Sequence, residues 1–104
     1  MHCGQSCSDA AVLAVERGEE EAVLAWLDSG GRADATYERG GVSGLTLLMD
    51  AAHHGHELLA ATLLQRGASI DLQNSDGSTA LMWAAQEGHQ RVAELLLHHG
   101  AEIK

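Results

Sequence analysis

Apolar residues in the last third of the chain recur at helical spacing and predict two short helices. The first is expected to start after Thr79, whose hydroxyl is suited to cap a helix, and to end at Gly88. The second is expected to end at Gly100. The predicted core faces carry small residues in the first helix and leucines in the second: Ala80, Leu81, Ala84 and Ala85, then Val92, Ala93, Leu96 and Leu97. A pair this thin cannot bury both faces alone, so it requires a similar pair beside it.

The same pattern occurs 33 residues upstream, between Gly44 and Ile70. Its caps, core positions and glycines all have counterparts in the later copy: Gly44 with Gly77, Thr46 with Thr79, Leu48 with Leu81, Met49 with Met82, Ala51 and Ala52 with Ala84 and Ala85, Gly55 and His56 with Gly88 and His89, and Leu63 and Leu64 with Leu96 and Leu97. A fixed period with matching caps and matching core positions indicates a repeat array.

A third, more divergent helix pair is predicted near the N-terminus, with a cap at Ser8 or Asp9 and helix ends at Gly18 and Gly30. Its predicted apolar faces are Ala10, Ala11, Ala14 and Val15, then Ala22, Val23, Trp26 and Leu27. Terminal repeats are expected to be atypical, because one of their faces meets water.

An insertion separates the first two helix pairs. Gly18 precedes Gly55 by 37 residues instead of 33, which places four extra residues in the stretch 37–43. Insertions in repeat arrays map to loops on one face, often the binding face. Lengthening a surface loop also costs little free energy. A contribution to binding and a tolerated surface insertion are therefore both open interpretations.

The period of 33 and the alternation of turns and helices resemble the ankyrin repeat. That family's pattern runs Gly-x-Thr-Pro-Leu-His-x-Ala-Ala, then Gly-His, then Leu-Leu-x-x-Gly-Ala. The resemblance implies an all-α ankyrin-repeat solenoid of about three stacked helix-turn-helix repeats, joined by β-hairpin-like finger loops. It implies a flexible tail at residues 1–7 and a repeat domain at 8–104. Within that domain the repeats are expected at 8–36, 37–73 and 74–104, and truncation of the array after the third is one interpretation.

Two departures from the family pattern affect the helix starts. Leu47 and Ala80 take the place of the family's proline, so the first turns lack its preset φ angle, although the capping threonines remain. Met49 and Met82 take the place of its histidine. Methionine fills space but does not make the histidine's hydrogen bonds, so core packing is the favoured role, and an adaptable contact surface is the alternative.

Composition and charge narrow the classes of function. The chain has 104 residues, 45% of them hydrophobic, which favours one compact domain. A net charge of −9 argues against binding nucleic acid or anionic membranes. Part of this charge, at residues 19–21, falls at a predicted helix start, where it suits the helix dipole. No apolar run has the length of a signal peptide or a membrane span, so an intracellular protein, cytoplasmic or nuclear, is expected.

Candidate chemistry is sparse. His2, Cys3 and Cys7 fit no complete zinc pattern, and two free thiols in a frayed tail are expected. His56 and His89 belong to the family's Gly-His pairs and are expected to be structural. A weak metal site is conceivable where the aligned helix ends meet, at His53, His54, Gln86 and Glu87, but no metal or cofactor is predicted. No catalytic motif is present, so an enzyme is not predicted.

The resemblance implies a protein–protein interaction module that binds a protein partner through its concave face and finger loops. The alternatives are a regulatory segment of a larger enzyme or channel and a weak histidine-based metal-binding protein. The family's variable surface positions fall on Leu45, Asp50, His53, His54, Gln73, Ser75, Asp76, Ser78, Trp83, Gln86 and Glu87. Two interpretations of Trp83 have equal weight: an anchor for the partner, and a residue that packs against the neighbouring helix near Asp50. The apolar run 95–97 predicts further repeats or self-association at that end.

Overall fold

The computed structural model describes residues 9–100, and its helices come in three consecutive pairs. The predicted cap at Ser8 and the thiols of Cys3 and Cys7 lie outside the described residues. The helices are α1 (Asp9–Arg17), α2 (Glu20–Asp28), α3 (Leu47–His54), α4 (Glu57–Gln65), α5 (Ala80–Gln86) and α6 (Gln90–His98). Two antiparallel strands, β1 (Thr36–Arg39) and β2 (Val42–Thr46), form a hairpin between α2 and α3.

Glycines in the left-handed conformation end the first helix of each pair. Gly18, Gly55 and Gly88 have φ angles of 72°, 76° and 76°. Each glycine and the residue after it reverse the chain, so that the two helices of a pair pack against each other. Glycine adopts this conformation without the clash that a Cβ would cause. The three predicted helix pairs are confirmed.

The two later pairs start at the predicted threonine caps. Thr46 accepts a hydrogen bond from the backbone N–H of Met49 at 3.1 Å, and Thr79 accepts one from Met82 at 3.4 Å. Each bond satisfies one N–H that has no partner within the helix. The helices therefore begin at Leu47 and Ala80 without the proline that the family pattern prefers.

The core is centred on α3, which contacts α1 on one side and α5 on the other. All six residues from 47 to 52 are buried. Leu63 of α4 and Leu96 of α6 are fully buried as predicted, and Val23 of α2 is buried beside them. The first helices form one layer and the second helices pack behind it, because α4 contacts both α3 and α6.

Four residues predicted to lie in the core are exposed instead: Ala10, Ala22, Ala85 and Leu97. Ala85 is the counterpart of Ala52, which is buried because α5 covers α3. Among the described residues, no further helix covers the outer side of α5 and α6. The repeat pattern predicts the residue type at such positions, whereas burial depends on having a neighbour.

The insertion forms the hairpin. Tyr37 pairs with Leu45 and Arg39 with Val42 across the strands. Gly40 and Gly41 make the turn with φ angles of 60° and 84°, as a type I′ turn requires at both central residues. A glycine pair therefore allows the four extra residues to fold back as paired strands.

The connection between α4 and α5 has no strands, and the side chain of Asn74 organises it. The backbone N–H groups of Asp76 and Ser78 both donate to Asn74 Oδ1, at 2.9 and 3.0 Å. This turn is joined to β2 by two bonds, Ser75 N–H to the Ser43 carbonyl and Ser43 N–H to Ser75 Oγ, at 2.8 and 3.0 Å. The turn and the hairpin consequently lie side by side.

Two histidines join successive helix pairs. His56 Nε2 donates to the Glu16 carbonyl and His89 Nε2 to the His53 carbonyl, each at 3.0 Å. Both acceptors are close to the end of the first helix of the preceding pair, where carbonyls lack helical partners. The structural role predicted for His56 and His89 is confirmed. The rings also lie against Gly18 and Gly55, where a side chain would collide with them.

Leu63→Ala and Leu96→Ala should each lower the free energy of unfolding by roughly 2–5 kcal/mol, because both remove a fully buried side chain. Leu58→Ala on the same α4 helix is the matched control, since Leu58 is 73% exposed and should lose less than about 0.5 kcal/mol. Urea unfolding followed by circular dichroism measures all three. Equal midpoints for Leu63→Ala and Leu58→Ala would contradict the packing of α4.

Gly55→Ala should destabilise the protein more than Gly88→Ala does. Both glycines have a φ angle of 76°, so both variants carry the same backbone strain, about 1–2 kcal/mol. A Cβ on Gly55 would additionally lie 2.6 Å from His89 Nδ1, whereas one on Gly88 meets nothing within 4 Å. The extra loss should be about 1–3 kcal/mol, the usual cost of overpacking. Thermal unfolding of the two variants checks this, and equal losses would show that His89 tolerates displacement.

Candidate functional site

A pocket of about 210 Å³ opens between the hairpin, α3 and α5. The hairpin provides four of its lining residues, α3 three, the turn before α5 one, and α5 itself one. They are Tyr37, Arg39, Val42 and Leu45, then Met49, Asp50 and His53, then Asp76 and Trp83. The pocket therefore lies where the inserted hairpin meets the layer of first helices.

Local structure explains why these side chains converge. Met49, Asp50 and His53 are spaced by one, three and four positions, which places them on one side of α3. Tyr37 and Arg39 are two apart on β1, so they share one face of the hairpin. Contact between α3 and α5 then brings the α5 side of the pocket into place.

Asp50 is the buried charged group of the site, with only 5% of its surface exposed. Its Oδ1 lies 3.8 Å from His54 Nδ1 and 4.0 Å from Arg39 Nη1. Its Oδ2 is buried and has no hydrogen-bond partner. A buried carboxylate oxygen without a donor is costly, because it has lost its water without replacement.

The environment shifts two pKa values in this site. Burial raises the pKa of Asp50 above its ordinary value of 3.8, although its interaction with the Tyr37 hydroxyl and the positive charge of Arg39 oppose that shift. Burial also raises the pKa of Tyr37 above its usual range, and the negative charge of Asp50 adds to the effect. The Tyr37 hydroxyl consequently keeps its proton and remains a donor beside the carboxylate.

Arg39 holds the hairpin against the first helix pair. Its guanidinium forms an ion pair with the Glu16 carboxylate of α1 and lies 5.3 Å from the centre of the Tyr37 ring. Both contacts are partly exposed, so each contributes modestly to stability. Their main consequence is positional, since they hold the Arg39 guanidinium at the edge of the pocket, between Glu16 and Asp50.

Trp83 forms an aromatic wall with His53. Their ring centres are 5.0 Å apart at an angle of 86°, an edge-to-face contact. His53 Nδ1 lies 3.6 Å from Glu87 Oε2, beyond hydrogen-bond distance, and Trp83 Nε1 is buried without a partner. Trp83 thus packs on α3 and lines the pocket at the same time.

Five of the eleven predicted partner-binding residues line this pocket: Leu45, Asp50, His53, Asp76 and Trp83. Leu45 and Asp50 are buried and contribute walls, not exposed contacts. The other six are not among its lining residues. His54 Nδ1 contacts the Asp50 carbonyl at 3.0 Å. Gln73, Ser75 and Ser78 belong to the turn before α5, and Gln86 and Glu87 are exposed at the end of α5.

Sequence reasoning missed four lining residues: Tyr37, Arg39, Val42 and Met49. Three lie in the insertion, which the sequence analysis interpreted either as a contribution to binding or as a tolerated surface insertion. The available signal was the glycine pair at 40–41, flanked on both sides by residues suited to a strand. Met49 is 2% exposed and fills the space beneath the pocket, as the packing interpretation of the methionines expects.

Two other findings concern ligands and membranes. Within residues 9–100, no group of three or more histidine, cysteine, aspartate or glutamate side chains is arranged to hold a metal ion. His53 approaches Glu87, whereas His54 is directed to Asp50, so the neighbours considered from the sequence do not converge. Over the same residues, every helix is too short or too polar to cross a bilayer.

Paired short helices, glycine-ended turns and histidine links between pairs define a helical-repeat protein. A family model described as ankyrin repeats, in three copies, matches residues 11–104. The chain belongs to the ankyrin-repeat family, as the 33-residue period suggested. A search of the curated proteins found no match.

Asp50→Asn should remove a component of the pH dependence of stability. The pKa of Asp50 is raised on folding, so the folded state holds this proton more tightly than the unfolded state. The free energy of unfolding of the wild type should therefore fall as pH rises from 3.8 through the raised pKa. Asparagine cannot ionise, so the variant should gain stability relative to the wild type across that interval.

Urea unfolding midpoints of the wild type and the variant test this expectation. They are measured from about pH 3.5 to about pH 7, in steps of about half a pH unit, an interval that begins near the ordinary pKa of aspartate. Asp76→Asn is the control, because Asp76 is an exposed carboxylate on the same rim and its charge is screened by water. A constant offset between Asp50→Asn and the wild type at every pH would contradict the raised pKa.

Proposed function

We propose that this chain is a protein–protein interaction module that binds a partner across the pocket face. This face comprises the hairpin, the exposed side of α3 and α5, and the turn before α5. The observation that carries the proposal is the pocket itself, where buried polar atoms without partners meet apolar walls. Ligand sites combine these two features. Ankyrin repeats are generally interaction modules, which supports the same role.

The proposed architecture is a solenoid of three repeats at 8–36, 37–73 and 74–104, with the hairpin as the first finger loop. The single layer of first helices and the contacts of α3 on both sides support this arrangement. Such stacks offer an extended surface built from first helices and fingers. The proposed binding residues are those predicted from the sequence, with the hairpin residues of the pocket added to them.

Charge favours a basic or mixed partner surface. Asp50, Asp76 and Glu87 lie on or beside the pocket, and the whole chain carries a net charge of −9. This potential repels nucleic acid and anionic lipid, and it attracts positively charged proteins. We propose no catalysis by these repeats and an intracellular location. A place within a larger enzyme or channel would leave the binding role unchanged.

Trp83→Ala should weaken binding to a captured partner roughly fivefold or more, the effect that separates contributing interface residues from bystanders. The reason is that Trp83 provides a large aromatic wall of the pocket and of the face around it. Affinity capture from lysate with identification by mass spectrometry supplies the partner, and titration with the purified partner measures the dissociation constant.

Glu94→Lys is the control for this test. Glu94 is exposed on α6, in the second layer of helices, and contacts Gln90 of its own helix. Both variants should keep the helical circular dichroism spectrum of the wild type. If Trp83→Ala binds normally while Glu94→Lys loses binding, the partner uses the opposite side of the stack and the proposed face is wrong.

A further inference from the structure

The buried polar atoms without partners are concentrated in one place. Across the described residues there are four such side-chain atoms, and three belong to residues that line the pocket: Asp50 Oδ2, His53 Nδ1 and Trp83 Nε1. Native proteins satisfy nearly all of their buried polar groups, so a cluster of exceptions requires an explanation. Groups supplied by a bound partner would satisfy them.

The charge of the pocket identifies the kind of group. Asp50 and Asp76 contribute negative charge to its lining. Arg39, the arginine of the lining, is paired with Glu16 of α1 and lies 4.0 Å from Asp50 Oδ1. Only 5% of Asp50 is exposed. While its carboxylate is ionised, Oδ2 can accept a hydrogen bond and cannot donate one. The Tyr37 hydroxyl beside this carboxylate is a neutral donor. The group that is missing is therefore a donor that carries positive charge.

The walls of the pocket identify its shape. Val42, Leu45 and Met49 are apolar, and Tyr37 and Trp83 add aromatic rings. A long aliphatic chain with a charge at its tip fits such a site, because its methylene groups contact the apolar walls while the tip reaches the carboxylate. Aromatic faces near the tip also attract a cation.

A lysine fits the carboxylate better than an arginine does. Arginine prefers both oxygens of a carboxylate, with two parallel hydrogen bonds. In Asp50 the Oδ1 lies 3.8 Å from His54 Nδ1 and 4.0 Å from Arg39 Nη1, within ion-pair range, and Oδ2 is the buried oxygen without a hydrogen-bond partner. An ammonium is a compact donor that needs only one acceptor. The Tyr37 ring, on which a guanidinium could stack, already has Arg39 beside it.

The unpaired indole N–H of Trp83 suggests how the backbone of the partner lies in the pocket. Trp83 Nε1 is a donor only, so it requires an acceptor from the partner. Every residue of a peptide backbone offers a carbonyl oxygen. A peptide that inserts its side chain toward Asp50 would bring such a carbonyl past Trp83, since both residues line the same pocket.

We propose that the pocket binds a single lysine side chain of the partner protein, with the ammonium donating to Asp50 Oδ2. This inference rests on the proposed function and adds the chemistry of recognition. Asp50 is the specificity-determining residue, the apolar walls hold the lysine stem, and Trp83 binds the adjacent backbone. Oδ2 of this buried carboxylate, which has no hydrogen-bond partner in the free protein, gains one when the partner binds.

The test uses an array of short synthetic peptides of varied sequence. Each peptide is made in three versions that differ only in the central residue: lysine, norleucine, which keeps the stem without the ammonium, and arginine. Labelled wild-type protein should be retained about tenfold more on the lysine version than on the matched norleucine version, in line with a hydrogen bond between charged groups. Arginine versions should fall between the two.

Asp50→Asn should abolish the preference for lysine over norleucine, because the neutral amide keeps the shape and removes the charge. Glu94→Gln, the same loss of one negative charge on α6, should keep it. Asp76→Asn provides a second variant, on the exposed rim, and should reduce the preference two- to threefold by weakening the local potential. Circular dichroism confirms that each variant is folded.

Equal retention of the lysine and norleucine versions by the wild type, including retention of neither, would overturn the proposal. A preference for arginine would overturn the choice of lysine, and a preference that survives in folded Asp50→Asn would overturn the role of that carboxylate. The proposed function is judged separately, by the loss of captured partner in Trp83→Ala. A partner that requires Trp83 but shows no dependence on lysine would leave the interaction module standing and remove only this inference.

Discussion

The packing of α3 between α1 and α5 is the interaction on which the rest of the structure depends. A single pair of short helices has too little apolar surface to fold alone, so each pair requires its neighbours. In the layer of first helices α3 has a neighbour on each side, and its residues 47–52 are all buried. The histidine links at the helix ends fix the distance to the adjoining pairs. The pocket therefore takes Met49 and Asp50 from the best-restrained helix in the molecule.

That location gives the site rigidity at a cost in stability. Asp50 occupies a helix position that a small apolar residue could fill, and its carboxylate is buried with one oxygen unpaired. Binding sites frequently retain such unfavourable groups, because the same groups provide specificity once a ligand is present. Tyr37, Arg39 and His54 reduce the cost without removing it, since burial still raises the pKa of Asp50.

The sequence was sufficient for the repeated parts of the fold and insufficient for the inserted part. Thr46, Thr79 and the Gly-His pairs recur at a fixed spacing, so the caps, the helix ends and a structural role for His56 and His89 were predictable. The structure adds that these histidines bond to the preceding helix pair. The hairpin has no second copy in the chain. The turn at Gly40 and Gly41 accounts for the pairing of Arg39 with Val42, but the register then shifts, so that Tyr37 pairs with Leu45. The glycine pair does not predict that shift, and both Tyr37 and Arg39 line the pocket. Ala85 and Leu97 are exposed because no described helix covers them. The pattern of residue types does not predict which helices have neighbours.

The hairpin is attached at both of its edges. Arg39 of β1 pairs with Glu16 in the first helix pair, and Ser43 of β2 exchanges two hydrogen bonds with Ser75 in the turn that leads into the third. Repeat arrays usually behave as chains in which each unit senses only its immediate neighbours. Here an element between the first and second pairs reaches the approach to the third. The insertion thus connects the first and third helix pairs, which would otherwise affect each other only through the second. Unfolding of either end pair should therefore destabilise the whole array. Binding at the hairpin should stabilise both end pairs together.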